Sequence, residues 1–112
     1  MERIRKTIFY KRYFLDFASE LSPKVLTKIS WVMDLIETVE RVLEKHLKYI
    51  EGPNGLYEIV IAAGTNIFRI FCFFDKGKLV VLMNGFQKKT MKTPANEIER
   101  ALKIKKEYEN SK

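Results

Sequence analysis

The feature that most constrains the fold is a series of three strongly apolar segments between residues 56 and 86, separated by short polar turns. They read LYEIVIA at 56–62, NIFRIFCFF at 66–74 and KLVVLMNGF at 78–86. These segments are rich in the β-branched and aromatic residues that are typical of strands. Because the connections are short, we predict a three-stranded antiparallel meander, and because both faces are apolar, we expect helices to cover it.

A long helix is predicted before these strands. Ser22 and Pro23 indicate its start, because a serine caps free amides and a proline suits the first helical position. Apolar residues at helical spacing extend it to about Ile50, with one stripe facing the core. The stripe contains Leu26, Ile29, Met33, Ile36, Leu43, Leu47 and Ile50. The glycines, proline and asparagine of residues 52–55 then predict a turn.

The two ends of the chain complete the predicted fold. Residues 3–13 form a basic segment that is strand-like or irregular, and residues 14–21 form a short amphipathic piece. Thr93 and Pro94 indicate the cap and first turn of a last helix, which runs through about Glu109. We therefore expect a single α+β domain over the whole chain, with N-terminal helices packed on the sheet and a helix at the C-terminus.

Composition excludes several classes of protein. A chain of 112 residues, 31% charged and 46% hydrophobic, suits one soluble globular domain. No apolar run approaches the roughly 20 residues of a membrane helix, and the N-terminus does not resemble a secretory signal. Cys72 is the only cysteine, which excludes an intramolecular disulfide and argues against a cysteine metal site. A cytoplasmic location is expected.

The net charge of +7 is concentrated at two places. Residues 1–12 carry five Lys or Arg and one Glu, and residues 86–106 carry seven Lys or Arg and two Glu. Residues 13–62 carry five basic and eight acidic side chains. Such a local positive field attracts a polyanion, which can be RNA, DNA or an acidic protein segment, although a lysine-rich helix is also a common solvated surface.

Arg69 is the first candidate for a functional group, because it lies in the middle of an otherwise apolar strand. A buried guanidinium needs an anionic partner. If the turn between the first two strands spans Ala62 to Thr65, simple hairpin counting places Glu58 roughly opposite Arg69, so one interpretation is a structural cross-strand pair. The other is a fork of donors for a phosphate, since the planar guanidinium binds two oxygens at once.

Further candidates follow the last strand and lie on the last helix. Gln87, Lys88, Lys89 and Lys92 occupy a position where scaffolds often display functional groups, and Arg100 and Lys103 add positive charge on the helix. Adjacent lysines of a strand point to opposite faces, so Lys88 and Lys89 need not serve one site. Tyr108 falls on the inner side of the last helix and is expected to pack there. His46 is the only histidine, and we expect a structural or solvated role for it.

The order of these segments resembles the HigB-like, phage-derived branch of the RelE/ParE toxin superfamily. The residues that carry the resemblance are GLYEI, NIFRIFCFF, KLVVLMNGFQKKTMKTP and EIERALKIKKEY, which span Gly55 to Tyr108. The most specific part is NGFQKKTMKTP, preceded by the FRI strand. The resemblance implies helices on a curved antiparallel sheet and the role of toxin in a type II toxin–antitoxin pair.

Members of this branch generally cut messenger RNA on the ribosome without a metal or organic cofactor. The resemblance implies that Arg69, Lys88, Lys89 and Tyr108 form the catalytic set. We expect RNA contacts from Gln87, Lys92, Arg100 and Lys103. It also implies a cognate helix-turn-helix, HigA-like antitoxin and no membrane partner. Relatives often carry an arginine two residues after the glutamate of the first strand, whereas this chain has Val60.

Two other functions remain open at this stage. ParE-like members of the same superfamily inhibit DNA gyrase by protein contact and need no catalytic groups. A basic module that binds ribosomal RNA without cutting it is the third possibility. Clustering of Arg69, Lys88 and Lys89 at one edge of the sheet favours RNA cleavage.

Overall fold

A computed structural model describes residues 2–52 and 54–112 of the chain. The elements are β1 (Lys6–Phe9), α1 (Tyr13–Ala18), α2 (Pro23–Thr38), β2 (Leu47–Tyr49), β3 (Leu56–Ala63), β4 (Asn66–Asp75), β5 (Leu79–Lys88) and α3 (Ala95–Asn110). The five strands form one curved, open sheet in the order β1-β5-β4-β3-β2. The predicted α+β fold with a C-terminal helix is confirmed.

The central meander forms as predicted, but its first turn is tighter than expected. β3, β4 and β5 pair antiparallel, and Ala63 pairs with Asn66. Only Gly64 and Thr65 therefore connect β3 to β4, and Gly64 has a φ of +63°, which glycine adopts without steric cost. This register places Val60 opposite Arg69, so the expectation that Glu58 lies there is wrong by two residues.

Two short edge strands extend the meander. β1 pairs parallel with β5, so the basic N-terminal segment does contain a strand. β2 pairs antiparallel with β3 and was not predicted, because its residues were assigned to the long helix. The parallel edge could not be read from local signals, since the two paired strands are separated by most of the chain.

Helix α2 begins as predicted but ends much earlier than Ile50. Ser22 caps its start, with the Ser22 hydroxyl accepting from the Val25 N–H at 3.3 Å. The helix ends at Thr38. Its buried residues are Val25, Ile29, Val32 and Ile36. Ile29 and Ile36 are confirmed members of the predicted stripe, whereas the predicted Leu26 is exposed.

A distant arginine explains where α2 ends. The Arg5 guanidinium donates to the carbonyl oxygens of Ile36 and Val39 at 2.9 and 2.7 Å. These carbonyl groups at the end of a helix would otherwise lack partners. Because Arg5 precedes them by more than thirty residues, the sequence near the end of the helix does not reveal it. None of the described helices is long and apolar enough to cross a membrane.

The sheet separates two apolar cores. Helices α1 and α2 cover one face, which we call the α2 face, and helix α3 covers part of the other, the α3 face. The buried core of the α2 face includes Phe14, Val25, Ile29, Val32, Ile36, Ile59, Ile61, Phe68, Ile70, Cys72, Val80 and Leu82. The buried core of the α3 face includes Leu56, Phe71, Phe73, Val81, Met83, Phe86, Ala101 and Ile104.

Candidate anion-binding site

Arg69 lies on the α3 face, beyond the apolar core. Its cross-strand partners are Val60 on β3 and Phe86 on β5, and Phe86 belongs to the core of that face. The Arg69 side chain is only 12% exposed, and its Nη1 donates to Glu58 Oε1 at 3.2 Å. The Glu58 side chain is 3% exposed. The predicted ion pair is therefore confirmed, although it runs diagonally across the two strands.

The second oxygen of Glu58 holds the segment that leads into α3. Thr93 Oγ1 donates to Glu58 Oε2 at 2.8 Å. The prediction that Thr93 caps the helix is wrong, because α3 has Pro94 at its N-cap and no side-chain cap bond. The hydroxyl binds a buried carboxylate instead, which ties residues 89–94 to the sheet.

Lys88 is the last residue of β5 and faces the same side as Arg69. It is half-buried and lies two residues beyond Phe86, which is opposite Arg69. Such diagonal neighbours on one face are within reach of long side chains. Burial, followed by the positive charge of Arg69, lowers the pKa of Lys88, and the charge of Glu58 opposes this shift only in part.

We call Glu58, Arg69, Lys88 and Thr93 the Arg69 cluster. It contains two cations and one carboxylate, so it carries a surplus positive charge. In addition, the Arg69 Nε–H is buried and has no acceptor among residues 2–52 and 54–112. A buried donor without a partner is costly, and an anionic ligand would satisfy it.

Lys48 is a neighbour of the cluster that the sequence interpretation missed. It pairs with Glu58 across β2 and β3 and therefore points to the same face, where its side chain is exposed. Its positive charge also lowers the pKa of Lys88. The alternating residues on both sides of the turn predicted over 52–55, of which Pro53 lies outside the described residues, are a hairpin signal that could have revealed it.

The other predicted residues around β5 separate in space. Lys89 and Lys92 are exposed on the segment that Thr93 anchors, next to the cluster. Gln87 is opposite Phe68, which belongs to the α2 face, and its amide donates to Asn66 at 3.2 Å. Gln87 therefore lies on the other side of the sheet from Arg69.

The predicted residues of α3 lie at the protein surface. Arg100 and Lys103 are both exposed. Arg100 lines a cleft of about 280 Å³ together with Asp16 of α1 and Glu20, which follows that helix. These two carboxylates offset its positive charge, so this part of α3 is less cationic than its sequence suggests.

Tyr108 is not brought together with Arg69. Its hydroxyl donates to Asp75 at 2.7 Å, at the far end of β4. Six residues separate Asp75 from Arg69, about 20 Å at the usual rise of a strand. The Tyr108 ring packs edge-on against Tyr10 and Phe73, with centroid distances of 5.3 and 5.4 Å, so the packing role predicted for it is confirmed.

His46 follows α2 rather than lying within it. Its ring packs nearly perpendicular to Trp31, with a centroid distance of 5.4 Å. Burial, and then the charges of Lys45 and Lys28, lower its pKa. In the described part of the chain, no group of three or more His, Cys, Asp or Glu side chains is placed to hold a metal ion.

Comparison with known proteins identifies the family. The sequence model of the family described as "Phage derived protein Gp49-like (DUF891)" matches residues 16–106, which include α2, the whole meander and most of α3. No curated protein matches the chain at a significant level. The matched family includes RelE/HigB-like toxins and is consistent with a toxin of a toxin–antitoxin system. The chain belongs to the Gp49-like family of phage-derived proteins.

Proposed function

We propose that this protein is the toxin of a type II toxin–antitoxin pair and that it cuts messenger RNA on the ribosome. The observation that carries the proposal is the buried Arg69 Nε–H without an acceptor, beside Lys88, in a cluster with surplus positive charge. A phosphate supplies the oxygens that such donors bind. Membership of a family that includes RelE/HigB-like toxins supports the same conclusion.

The proposed reaction needs no metal or organic cofactor. The ribose 2′-oxygen attacks the adjacent phosphorus, the bond from phosphorus to the 5′-oxygen breaks, and that oxygen takes a proton from water. The products carry a 2′,3′-cyclic phosphate and a 5′-hydroxyl. Arg69 binds the phosphate oxygens and stabilises the charge that grows on them. In the neutral form, whose fraction the lowered pKa of Lys88 increases, the Lys88 amine accepts the proton of the 2′-hydroxyl and thereby becomes the second cation beside the phosphate.

Glu58 is a positioning residue in this proposal. Both of its oxygens already accept hydrogen bonds, from Arg69 and Thr93, so it is not free to move protons. It fixes the orientation of the guanidinium but also offsets part of its charge. Lys48, Lys89 and Lys92, which are exposed, guide the RNA backbone toward the cluster.

Val60 sets the strength of phosphate binding. It lies directly opposite Arg69 on β3, at the position where relatives often carry an arginine. A valine offers no donor, so this chain binds the phosphate with one guanidinium where such relatives have two. We propose that it is a weaker nuclease than they are and that the Arg69 cluster supplies the remaining activity.

The partner in the cell is an antitoxin, as the family suggests. We propose a helix-turn-helix protein of the HigA-like kind. Such a protein would block RNA access to the Arg69 cluster, or would displace Thr93 and loosen the segment that carries Lys89 and Lys92.

The test is a translation reaction with purified ribosomes and a defined messenger RNA, in which new 5′ ends are mapped. Wild-type protein is expected to cut the translated RNA and to leave the same RNA intact without ribosomes. Arg69→Ala should lower cleavage by about 10²-fold to 10³-fold, as for loss of one charge-stabilising donor. Lys88→Ala should lower it by about 10²-fold or more, as for loss of a general base.

Two further variants sharpen this test. Lys112→Ala removes a cation at the far end of β4 and should leave cleavage unchanged. Val60→Arg adds a second guanidinium beside Arg69 and should increase the cleavage rate. Intact RNA with wild-type protein would refute the nuclease. Gyrase inhibition that persists in Arg69→Ala would then favour the ParE-like function, and ribosome binding without cleavage would favour the RNA-binding module.

A further inference from the structure

A second stripe of α2 carries an exposed tryptophan. Lys24, Lys28, Trp31 and Leu35 follow one another at helical spacing, so they lie along one side of the helix. Trp31 is the only tryptophan of the chain and is 48% exposed. A large aromatic side chain that is half accessible, on a helix whose other side is buried, indicates a contact surface.

Trp31 separates two shallow grooves. One, of about 460 Å³, lies between α2 and the turn that joins β3 to β4. The other, of about 270 Å³, lies between Trp31 and the segment that follows α2, and its apolar lining includes Leu35, Val39 and Leu43. Leu43 is 60% exposed. Two grooves that share Trp31 as a wall can accept a row of apolar side chains from a binding partner.

The grooves are lined by cations and, in the part of the chain that the structure describes, by no carboxylate. Lys24 and Lys28 line the first groove, and Arg41 and Lys45 line the second. Within residues 2–52 and 54–112, none of these four side chains forms an ion pair. An apolar surface edged by four unpaired cations is complementary to an apolar segment edged by carboxylates.

We propose that this surface, the Trp31 surface, binds an acidic amphipathic helix of a protein partner. Apolar side chains of the helix would enter the two grooves beside Trp31, and its Asp or Glu side chains would meet Lys24, Lys28, Arg41 and Lys45. This is the common arrangement in which a helix lays its apolar side into a groove.

A symmetric dimer through the Trp31 surface does not fit, because it would bring the cations of two such surfaces together. Single-stranded RNA does not fit either, since base stacking needs a free ring face. Lys28 Nζ lies over the Trp31 ring, 4.8 Å from its centroid, and the His46 ring packs against Trp31 nearly at a right angle.

The Trp31 surface and the Arg69 cluster lie on different sides of the sheet. Helix α2 covers the α2 face, whereas the cluster is on the α3 face. A helix bound at Trp31 therefore leaves Arg69 uncovered. This inference does not depend on the proposed nuclease, and each can fail without the other.

Trp31 itself reports the binding, because it is the only indole in the chain. The probe is a synthetic peptide of about 18 residues, long enough to form a helix, with leucines at helical spacing and glutamates on both sides of that stripe. A matched peptide carries lysines in place of the glutamates. The glutamate peptide should shift the Trp31 emission to shorter wavelength and protect it from iodide, and added salt should weaken this binding.

Variants assign the contact to the Trp31 surface. The double substitution Lys28→Glu with Lys45→Glu should weaken binding of the glutamate peptide by about tenfold or more and should strengthen binding of the lysine peptide. Leu43→Ser should weaken binding of both peptides, whereas Lys103→Glu on α3 should leave the binding of both unchanged. No emission shift with the glutamate peptide at millimolar concentration, or equal shifts with both peptides, would overturn the proposal. So would a larger shift with single-stranded oligouridine.

Discussion

The two ends of β4 carry polar groups of similar kind in different surroundings. In the Arg69 cluster the carboxylate is Glu58, which is 3% exposed and fully hydrogen-bonded. At the other end Asp75 accepts from the Tyr108 hydroxyl and pairs with Lys112, whose side chain is 44% exposed. We call Asp75, Tyr108 and Lys112 the Asp75 cluster. Each cluster contains a carboxylate, a hydroxyl donor and at least one cation.

Charge balance and burial distinguish the two clusters. Asp75 pairs directly with one cation, Lys112, so the three groups of the Asp75 cluster sum to zero charge, although the nearby charge of Lys76 also lowers the pKa of Asp75; Asp75 is 15% exposed. Glu58 meets Arg69 and lies near Lys88, which leaves one positive charge and one unpaired donor in a largely buried place. Of the two clusters, only the Arg69 cluster offers an anion a positive charge and a donor that are not already paired. Residue type alone did not separate the two clusters; strand register and burial do.

The largest expected effect comes from the buried carboxylate. Glu58→Gln removes the charge that neutralises Arg69 and should lower the free energy of unfolding by about 3 kcal/mol, as for a broken buried ion pair. The freed guanidinium should at the same time bind a short RNA more tightly. Urea unfolding and fluorescence anisotropy with labelled RNA measure the two changes.

Asp75→Asn is the matched control for that substitution. Its carboxylate belongs to the neutral cluster, so the loss of stability should be smaller and RNA binding should not change. If both variants lost the same stability, burial would not be the difference between the two ends of β4.

Replacing the lysine at either end of β4, Lys88 or Lys112, should change the free energy of unfolding by less than Glu58→Gln does. The two changes should have opposite signs. The folded-state pKa of Lys88 is lowered by burial and by Arg69, so its charged form opposes folding at neutral pH. Lys88→Met should therefore raise the free energy of unfolding by on the order of 1 kcal/mol at pH 7. This gain should shrink as the pH rises through the lowered pKa toward 10.5, where the wild-type amine becomes neutral as well.

Lys112→Met should lower the free energy of unfolding at pH 7, and this loss should shrink at high pH. The hydrogen bond to Asp75 raises the pKa of Lys112, so Lys112 stabilises the fold below its unfolded pKa and loses that effect at higher pH. Thermal unfolding from pH 7 to 11 measures both variants. Destabilisation by Lys88→Met at pH 7 would contradict the unfavourable charge that we assign to Lys88.

Local signals in the sequence were enough to predict the meander and α3. The apolar strands, the short turns and the helical spacing of α3 depend on neighbouring residues, and the Glu58–Arg69 pair follows from one hairpin. The predicted end of α2 was wrong, because Arg5, which is distant in the chain, donates to the last carbonyl groups of the observed helix. Lys48 was missed for the same reason. The predicted helix extended to Ile50, whereas the observed helix ends at Thr38 and residues 47–49 form β2.

The candidate site was predicted only in part. Arg69 and Lys88 meet because they lie on adjacent strands, which the apolar pattern already implied. Tyr108 was correctly expected to face inward, but helical spacing does not determine which end of the sheet it reaches. That depends on where residues 89–94 are anchored, and the anchor is the contact between Thr93 and the buried Glu58.

The smallest expected effect is that of Tyr108→Phe. The ring keeps its contacts with Tyr10 and Phe73, and only the bond to Asp75 is lost, so the cost should be about 0.5 kcal/mol at this partly exposed position. That bond raises the pKa of Tyr108, so its stabilising effect should be present below pH 10 and disappear at higher pH. Messenger RNA cleavage should be unchanged, because Asp75, which the hydroxyl binds, is about 20 Å from Arg69 along β4. A variant that unfolds normally but no longer cuts RNA would instead return Tyr108 to the catalytic set and show that the RNA spans both ends of the strand.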